Sequence, residues 1–428
     1  MTDHQPAADS RTEDQALSSA PTPRGIRTDP AGAPRRTAAG RRGLVAAALA
    51  IAVVVFVSYV ATTALSVPAP HTLVELSNTP PSRQGTVFAT RVVPSPAQAA
   101  PLPVDPQPLP SLVPWKGSTI TPEEFLSTTH TQAFLVLRDG VITHEWYGEG
   151  TSASTRLSSW STAKSVVSLL VGQAIADGKL CEQDRLVEIL PHLRAGGAYD
   201  DITIKHLLDM TSGVDVPESY NSRLPFTGTA RMYLTGDLHD FALDHRSTTF
   251  TPGSRGSYRS INTELLGQAL AAVEGRPLAD LLAERLWQPI GAEADAIWSL
   301  DHEGGREKAF CCINATARDF AKLGQLVLDG GRVGDEQVVP RAWIERAATP
   351  APHSVEGWGY SAQWWHPTGS DGDFSAVGVY GQYIYINPSE GTVIVKLSDH
   401  GTEQDEQETI EVFRAIAGST GDRPAGDA

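Results

Sequence analysis

Ser161-Thr162-Ala163-Lys164 is the stretch of this 428-residue chain whose residue types and spacing point most directly to chemistry. At the start of a helix, a lysine three residues after a serine lies on the same face, with its amine in reach of the hydroxyl. A neutral amine there takes the hydroxyl proton, and the unpaired amide hydrogens of a helix start stabilise an oxyanion. One segment thus offers nucleophile, base and half of an oxyanion hole. Of the seven lysines, only Lys164 has a serine three residues before it. The bland alternative is a serine cap followed by a surface lysine. The following residues argue against it, because Val167, Leu170, Val171, Ala174 and Ile175 recur at helical spacing up to Gly178. A helix that apolar is buried, and a lysine at its head then needs a reason.

A second group lies 97 residues further on, where GSYRSINTELLGQAL places Tyr258 and Ser260 on the approach to another apolar helix capped by Asn262 or Thr263. A phenol there can relay a proton between a serine and a leaving group, or simply hold the loop by hydrogen bonds.

The elements that must position these groups follow from periodicity. Ala133 to Arg138 and Val141 to Tyr147 alternate as strands around an Asp139-Gly140 hairpin turn. Helical patterns occupy the middle: one capped by Thr203 over TIKHLLDMTSGV, then Thr263 to Gly275, Pro277 to Leu286, and Thr316 to Gly330. Strands return at Tyr360 to His366, Ala376 to Tyr380, Gln382 to Asn387 and Thr392 to Ser398, and a helix from Asp405 to Ala417 closes the domain. The predicted class is α+β: an antiparallel sheet built from both ends of the domain and flanked by helices, with a mainly helical subdomain inserted.

Ahead of the domain, residues 1–42 are expected to be a disordered tail on the cytoplasmic side. Residues 43–67 form 25 uncharged residues, long enough for a transmembrane helix, with Arg35, Arg36, Arg41 and Arg42 just before them. Positive charge marks the cytoplasmic side, so the expectation is a single-pass anchor with the domain outside the cell, or a secreted domain if the segment is a cleaved signal. The proline-rich residues 68–115 read as a semi-rigid spacer, 116–418 as the folded domain, and 419–428 as a disordered tail.

After the first 42 residues the chain carries 27 basic against 45 acidic side chains, a net −18, which disfavours nucleic acid and anionic lipid as partners. No zinc spacing or cofactor motif is present. Cys181 could pair with Cys311 or Cys312 in an oxidising compartment. Oligomeric state is not encoded in any pattern found.

Taken together, STAK at the head of a buried helix, TIKHLLDMTSGV, YRS, ATARDFAKLG and GVYGQYIYINP resemble the serine β-lactamase and penicillin-binding-protein superfamily over roughly Gln132 to Ser398. Within it the chain looks most similar to 6-aminohexanoate-dimer hydrolases and family VIII-type esterases. The resemblance implies that Ser161 is the acylated nucleophile, Lys164 its partner base and Tyr258 the proton shuttle. It also implies an oxyanion hole from the amides of Ser161 and Ala376, the latter found by counting back from Gly381. Tyr220, Ser260 and Asn314 are the implied substrate-binding positions.

The same count places Asp373-Phe374-Ser375 where β-lactamases and carboxypeptidases carry a cation for the substrate carboxylate. Lys396 or Arg259 are the candidates to compensate. The expected function is therefore an ester or linear amide hydrolase working on a small molecule through an acyl-enzyme. The alternatives are a β-lactamase or D-Ala-D-Ala carboxypeptidase, and a non-catalytic sensor of the same fold.

Overall fold

The computed structural model describes residues 38–219, 227–401 and 405–419, with side chains from Gly43 onward. Tyr220 lies outside the described residues. The chain divides into a unit ending at Val57 and a second running from Ser58. Helix α1 (Ala38–Ala64) contains the apolar stretch Gly43–Ala64, 22 residues of mean hydropathy 2.7 with exposed side chains.

The second unit is organised on a seven-stranded antiparallel sheet. Its strands are β1 (Thr131–Arg138), β2 (Val141–Tyr147), β3 (Gly359–Ser361), β4 (Trp364–His366), β5 (Phe374–Gly378), β6 (Gln382–Asn387) and β7 (Thr392–Ser398). Their spatial order is β3-β4-β5-β6-β7-β1-β2, so β7 pairs with β1 and joins the two ends of the domain, as the alternation of residues predicts. Because successive side chains point to opposite faces, each strand feeds two cores. In β1, Ala133, Leu135 and Leu137 enter one core, while Phe134 and Val136 enter the other. Helices α2 (Thr162–Ala176) and α4 (Ala317–Leu328) cover the first face. Helix α5 (Glu406–Gly418) covers the second, with Phe413 against Phe134, Tyr383 and Tyr385. Between β2 and β3 the chain is mainly helical and includes α3 (Ser260–Glu274).

Four local readings differ from the sequence expectation. Residues 68–115 do not stand off as a spacer: Pro70–Asn78 is helical, and Thr90–Val93 pairs with Ala296–Ser299 in a four-stranded sheet with Val93 fully buried. Proline density signals extended backbone, but not whether that backbone finds a partner. The Tyr360–His366 pattern is two strands, since Ala362 and Gln363 take positive φ and make a hairpin turn. Arg259, rather than Asn262 or Thr263, precedes the first turn of α3. Finally, the disulfide joins Cys311 to Cys312, leaving Cys181 free and exposed.

Candidate active site

Leu157–Ser158 pairs with Ile313–Ala315 in the four-stranded sheet, and the chain then turns sharply into α2. The turn falls on Trp160, held at φ 46°, a conformation costly for a bulky residue and typical of positions that aim a functional group. Its ring is fixed by a hydrogen bond from Nε1 to the Pro81 carbonyl and by packing against Tyr233 and Tyr380. Ser161 follows as the N-cap residue, but its side chain makes no cap hydrogen bond and is free for other work.

That hydroxyl accepts a hydrogen bond from Lys164 Nζ at 2.7 Å. Lys164 is 1% exposed and donates a second bond, 2.8 Å, to the Phe310 carbonyl. Burial disfavours the ammonium and brings its pKa down to about 7, against a weaker opposing pull from the Glu218 carboxylate. A large fraction of Lys164 is therefore neutral near pH 7, as a base must be. The Tyr258 phenol stands on the other side of the pair, with the Lys164 amine 5.3 Å from its ring centre and Ser161 near enough to ease its pKa slightly downward. Burial, then the negative charge of Glu218, push the Tyr258 phenol well above its ordinary pKa, so it holds its proton.

These groups meet at a cleft of about 400 Å³ lined by Ser161, Glu218, Tyr258, Trp365, Gly378 and Tyr380, among others. Gly378 ends β5 directly against Ser161: a Cβ there would stand 3.0 Å from the Ser161 nitrogen and 3.0 Å from the Ser159 carbonyl oxygen. Ala376, the position reached by counting, is fully buried in the helix-covered core and pairs with Ile384. Residues two apart on a strand share a face, so Gly378 is the same face one repeat nearer Ser161. The offset arises because β5 stops at Gly378, and Tyr380 and Gly381, both at positive φ, complete the turn into β6. The strand end at Gly378-Val379, not Ala376, faces the nucleophile's amide.

Two of the implied substrate contacts are turned inward. Ser260 is fully buried and donates its hydroxyl to Glu218 at 2.7 Å, while its amide donates to the same carboxylate. Asn314 is 1% exposed and accepts from the Ser158 hydroxyl at 2.6 Å, donating in turn to the Cys312 carbonyl. Both brace the walls of the site rather than line the cleft. Glu218, Phe310, Trp160 and Gly378 were not singled out from sequence. Gly378 falls within GVYGQ and Trp160 within SSWSTAK, while Glu218 and Phe310 act through tertiary and backbone contacts that leave no spacing signal.

The cleft's lining is mainly acidic. Glu218, Glu356, Asp405 and Glu406 line it together with His400, Asp405 being paired with His400 and Lys116, and among the described residues no lysine or arginine lines it. Asp373 points away, gripped by Arg414 and by the Tyr385 hydroxyl. Lys396 is fully buried and donates to Ser398 at 2.6 Å, and Arg259 donates back to the Tyr258 carbonyl. Neither supplies the missing carboxylate clamp. No group of His, Cys, Asp or Glu side chains among the described residues is arranged to hold a metal ion.

The β-lactamase family pattern matches residues 127–418. The chain belongs to that family. It is 30% identical over 295 residues to a 6-aminohexanoate-dimer hydrolase of Paenarthrobacter ureafaciens, covering 64% of this chain and 74% of that relative. Among solved structures it is similar to a Bacillus anthracis protein proposed to be a 6-aminohexanoate-dimer hydrolase. That match has a TM-score of 0.72 at 25% identity, over 82% of this chain and 94% of that one. A family VIII carboxylesterase shares the fold at a TM-score of 0.53 and 17% identity, over 69% of this chain and 94% of that one. The chain is a serine hydrolase of this family with hydrolase and esterase neighbours.

Proposed function

We propose that this protein hydrolyses esters or linear amides of small molecules through an acyl-enzyme on Ser161. The observation that carries the reading is the hydrogen bond from buried Lys164 to Ser161, with the Tyr258 phenol beside them at the floor of an open cleft. Neutral Lys164 takes the hydroxyl proton as Oγ attacks the acyl carbon. The amide of Ser161 and the strand end at Gly378-Val379 stand where the developing oxyanion would be met. The C–O or C–N bond then breaks as the Tyr258 phenol gives its proton to the leaving group, and the Lys164 ammonium restores that proton. A water molecule releases the acid by the same steps in reverse order.

The acidic lining supports neutral or cationic substrates over carboxylates. Penicillins and D-alanyl-D-alanine peptides both present a carboxylate, so nitrocefin turnover and penicillin labelling should be negligible beside ester hydrolysis. The exposed apolar run Gly43–Ala64, preceded by arginines, supports a single-pass anchor with the domain outside the cell.

The test is hydrolysis of p-nitrophenyl butyrate and labelling by a fluorophosphonate probe, each with the full chain and with Ser161→Ala. Both activities should vanish in the variant. Undiminished labelling or hydrolysis would refute the assignment.

A further inference from the structure

Phe310, whose carbonyl receives the Lys164 ammonium, sits in a short loop that is fastened on every side. Ala309 N–H is held by the buried Glu264 carboxyl at 3.1 Å. Trp298 Nε1 donates to the carbonyls of both Lys308 and Cys311, and Ser299 N–H to that of Cys312. Ile313 then exchanges hydrogen bonds with Ser159, two residues before the nucleophile. In the middle stands the Cys311–Cys312 disulfide, with both residues buried and Cys312 at φ 75°.

A disulfide stabilises a fold chiefly by closing a long loop in the unfolded chain, and a bond between neighbours closes almost none. What it does is local: it ties two adjacent side chains into a small ring that includes their peptide bond and so fixes the backbone next to Phe310. Cysteine oxidation here therefore bears on where one carbonyl oxygen stands, and that oxygen is one of the two hydrogen-bond partners of the Lys164 amine.

We infer that the Cys311–Cys312 disulfide is a positioning element for Lys164, acting through the Phe310 carbonyl, and that it makes the hydrolase thiol-sensitive. This rests on Lys164 being the base of the proposed reaction. Reduction by a dithiol is balanced: the reagent gives two electrons and two protons to the S–S bond, two cysteine thiols form, and the reagent closes to its own disulfide. The freed loop relaxes and admits water beside Lys164. The groups facing that amine are the Ser161 hydroxyl, the Tyr258 phenol from the loop before α3, the Phe310 carbonyl, and at longer range the Glu218 carboxylate. Desolvation is the dominant influence on the amine, so hydration moves it back toward an ordinary lysine and lowers its neutral fraction at pH 7.

The experiment uses the full chain carrying Cys181→Ser, so that the exposed thiol does not react. Protein is compared oxidised, reduced with dithiothreitol and alkylated under brief unfolding and refolding, and as the Cys311→Ser/Cys312→Ser double variant, each checked by intact mass and thermal melting. The expected result is a fall of about fivefold in kcat/KM for p-nitrophenyl butyrate at pH 7, what a one-unit rise from about 7 does to the neutral fraction of Lys164. The acid limb of the pH profile should move to higher pH in the reduced and double-variant forms alike. A loop that merely supported folding would lower the amplitude and leave the limb in place. Glu264→Gln and Lys308→Met separate the two groups that titrate at the loop's own fastening, since burial raises Glu264 to about 7 and lowers Lys308 to about 8; the oxidised variants should keep the Lys164 limb. An intact mass showing free thiols in the native protein, or an unmoved limb after reduction, would overturn the inference while Ser161-dependent hydrolysis stood. Loss of Ser161 dependence in the oxidised protein would instead remove the catalytic reading beneath it.

Discussion

Among the described residues of this domain are two buried lysine–serine pairs, and one of them is placed for catalysis. Lys164 donates to Ser161 at 2.7 Å, and Lys396 donates to Ser398 at 2.6 Å. Burial brings both amines down to about 7, each against an opposing carboxylate, Glu218 in the first case and Asp405 in the second. The difference lies around the serines. Ser161 is at a helix start beside a phenol and an open cleft, whereas Ser398 is fully enclosed at the end of β7, where its amide donates to Gln382. A depressed lysine next to a serine is therefore not enough. Access for an acyl group, amides for its oxyanion and a proton donor for the leaving group separate a nucleophile from a buried polar contact.

Substitutions at equivalent positions of the two pairs sharpen the contrast, the largest effect first. Ser161→Ala should lower kcat for p-nitrophenyl butyrate by about 10⁴-fold or more, while Ser398→Ala should stay within about twofold. Lys164→Ala should lower kcat/KM by about 10³-fold, in the range of a lost general base. Lys396→Met should leave it nearly unchanged. Tyr258→Phe should cost about 10²-fold with an alkyl ester or amide and much less with p-nitrophenolate, a leaving group that departs without a proton. Equal losses on both substrates would point to a purely structural tyrosine.

Gly378→Ala should cost about tenfold in kcat and lower the melting temperature by a few degrees, because the added methyl would stand 3.0 Å from both the Ser161 nitrogen and the Ser159 carbonyl oxygen and 3.1 Å from Gln382 Cβ. The smallest effect is on stability. An unfolded lysine keeps its proton to about pH 10, whereas folded Lys396 loses it near 7, so between those values unfolding takes up a proton and stability rises with pH. Lys396→Met should flatten that rise and lift the melting temperature at neutral pH by a few degrees, about the shift that one kcal/mol produces.

The sequence carries the contrast only in part. Lys164 follows Ser161 at helical spacing into an apolar helix, a pattern local enough to be read directly, and the strands of the main sheet announce themselves by alternation. Lys396 and Ser398 also sit two apart on a strand, yet whether that face looks into a cleft or a core depends on α5 and on the turn at Tyr380-Gly381. Ala376 and Gly378 differ by one strand repeat, so an error in counting across a turn moves the oxyanion position without disturbing the pattern. Ser260 and Asn314 carry the right chemistry on the right elements, but the Glu218 carboxylate and the Ser158 hydroxyl claim them. Phe310 contributes a backbone carbonyl, which no residue type advertises.

The rate of fluorophosphonate labelling at Ser161, followed by peptide mapping from about pH 5 to about pH 9, bears most directly on the claim that a desolvated Lys164 is the base. The labelled peptide should contain Ser161, and the rate should rise through about pH 7 and then level. A rate that is flat, or that keeps climbing toward the range of an ordinary lysine, would contradict it.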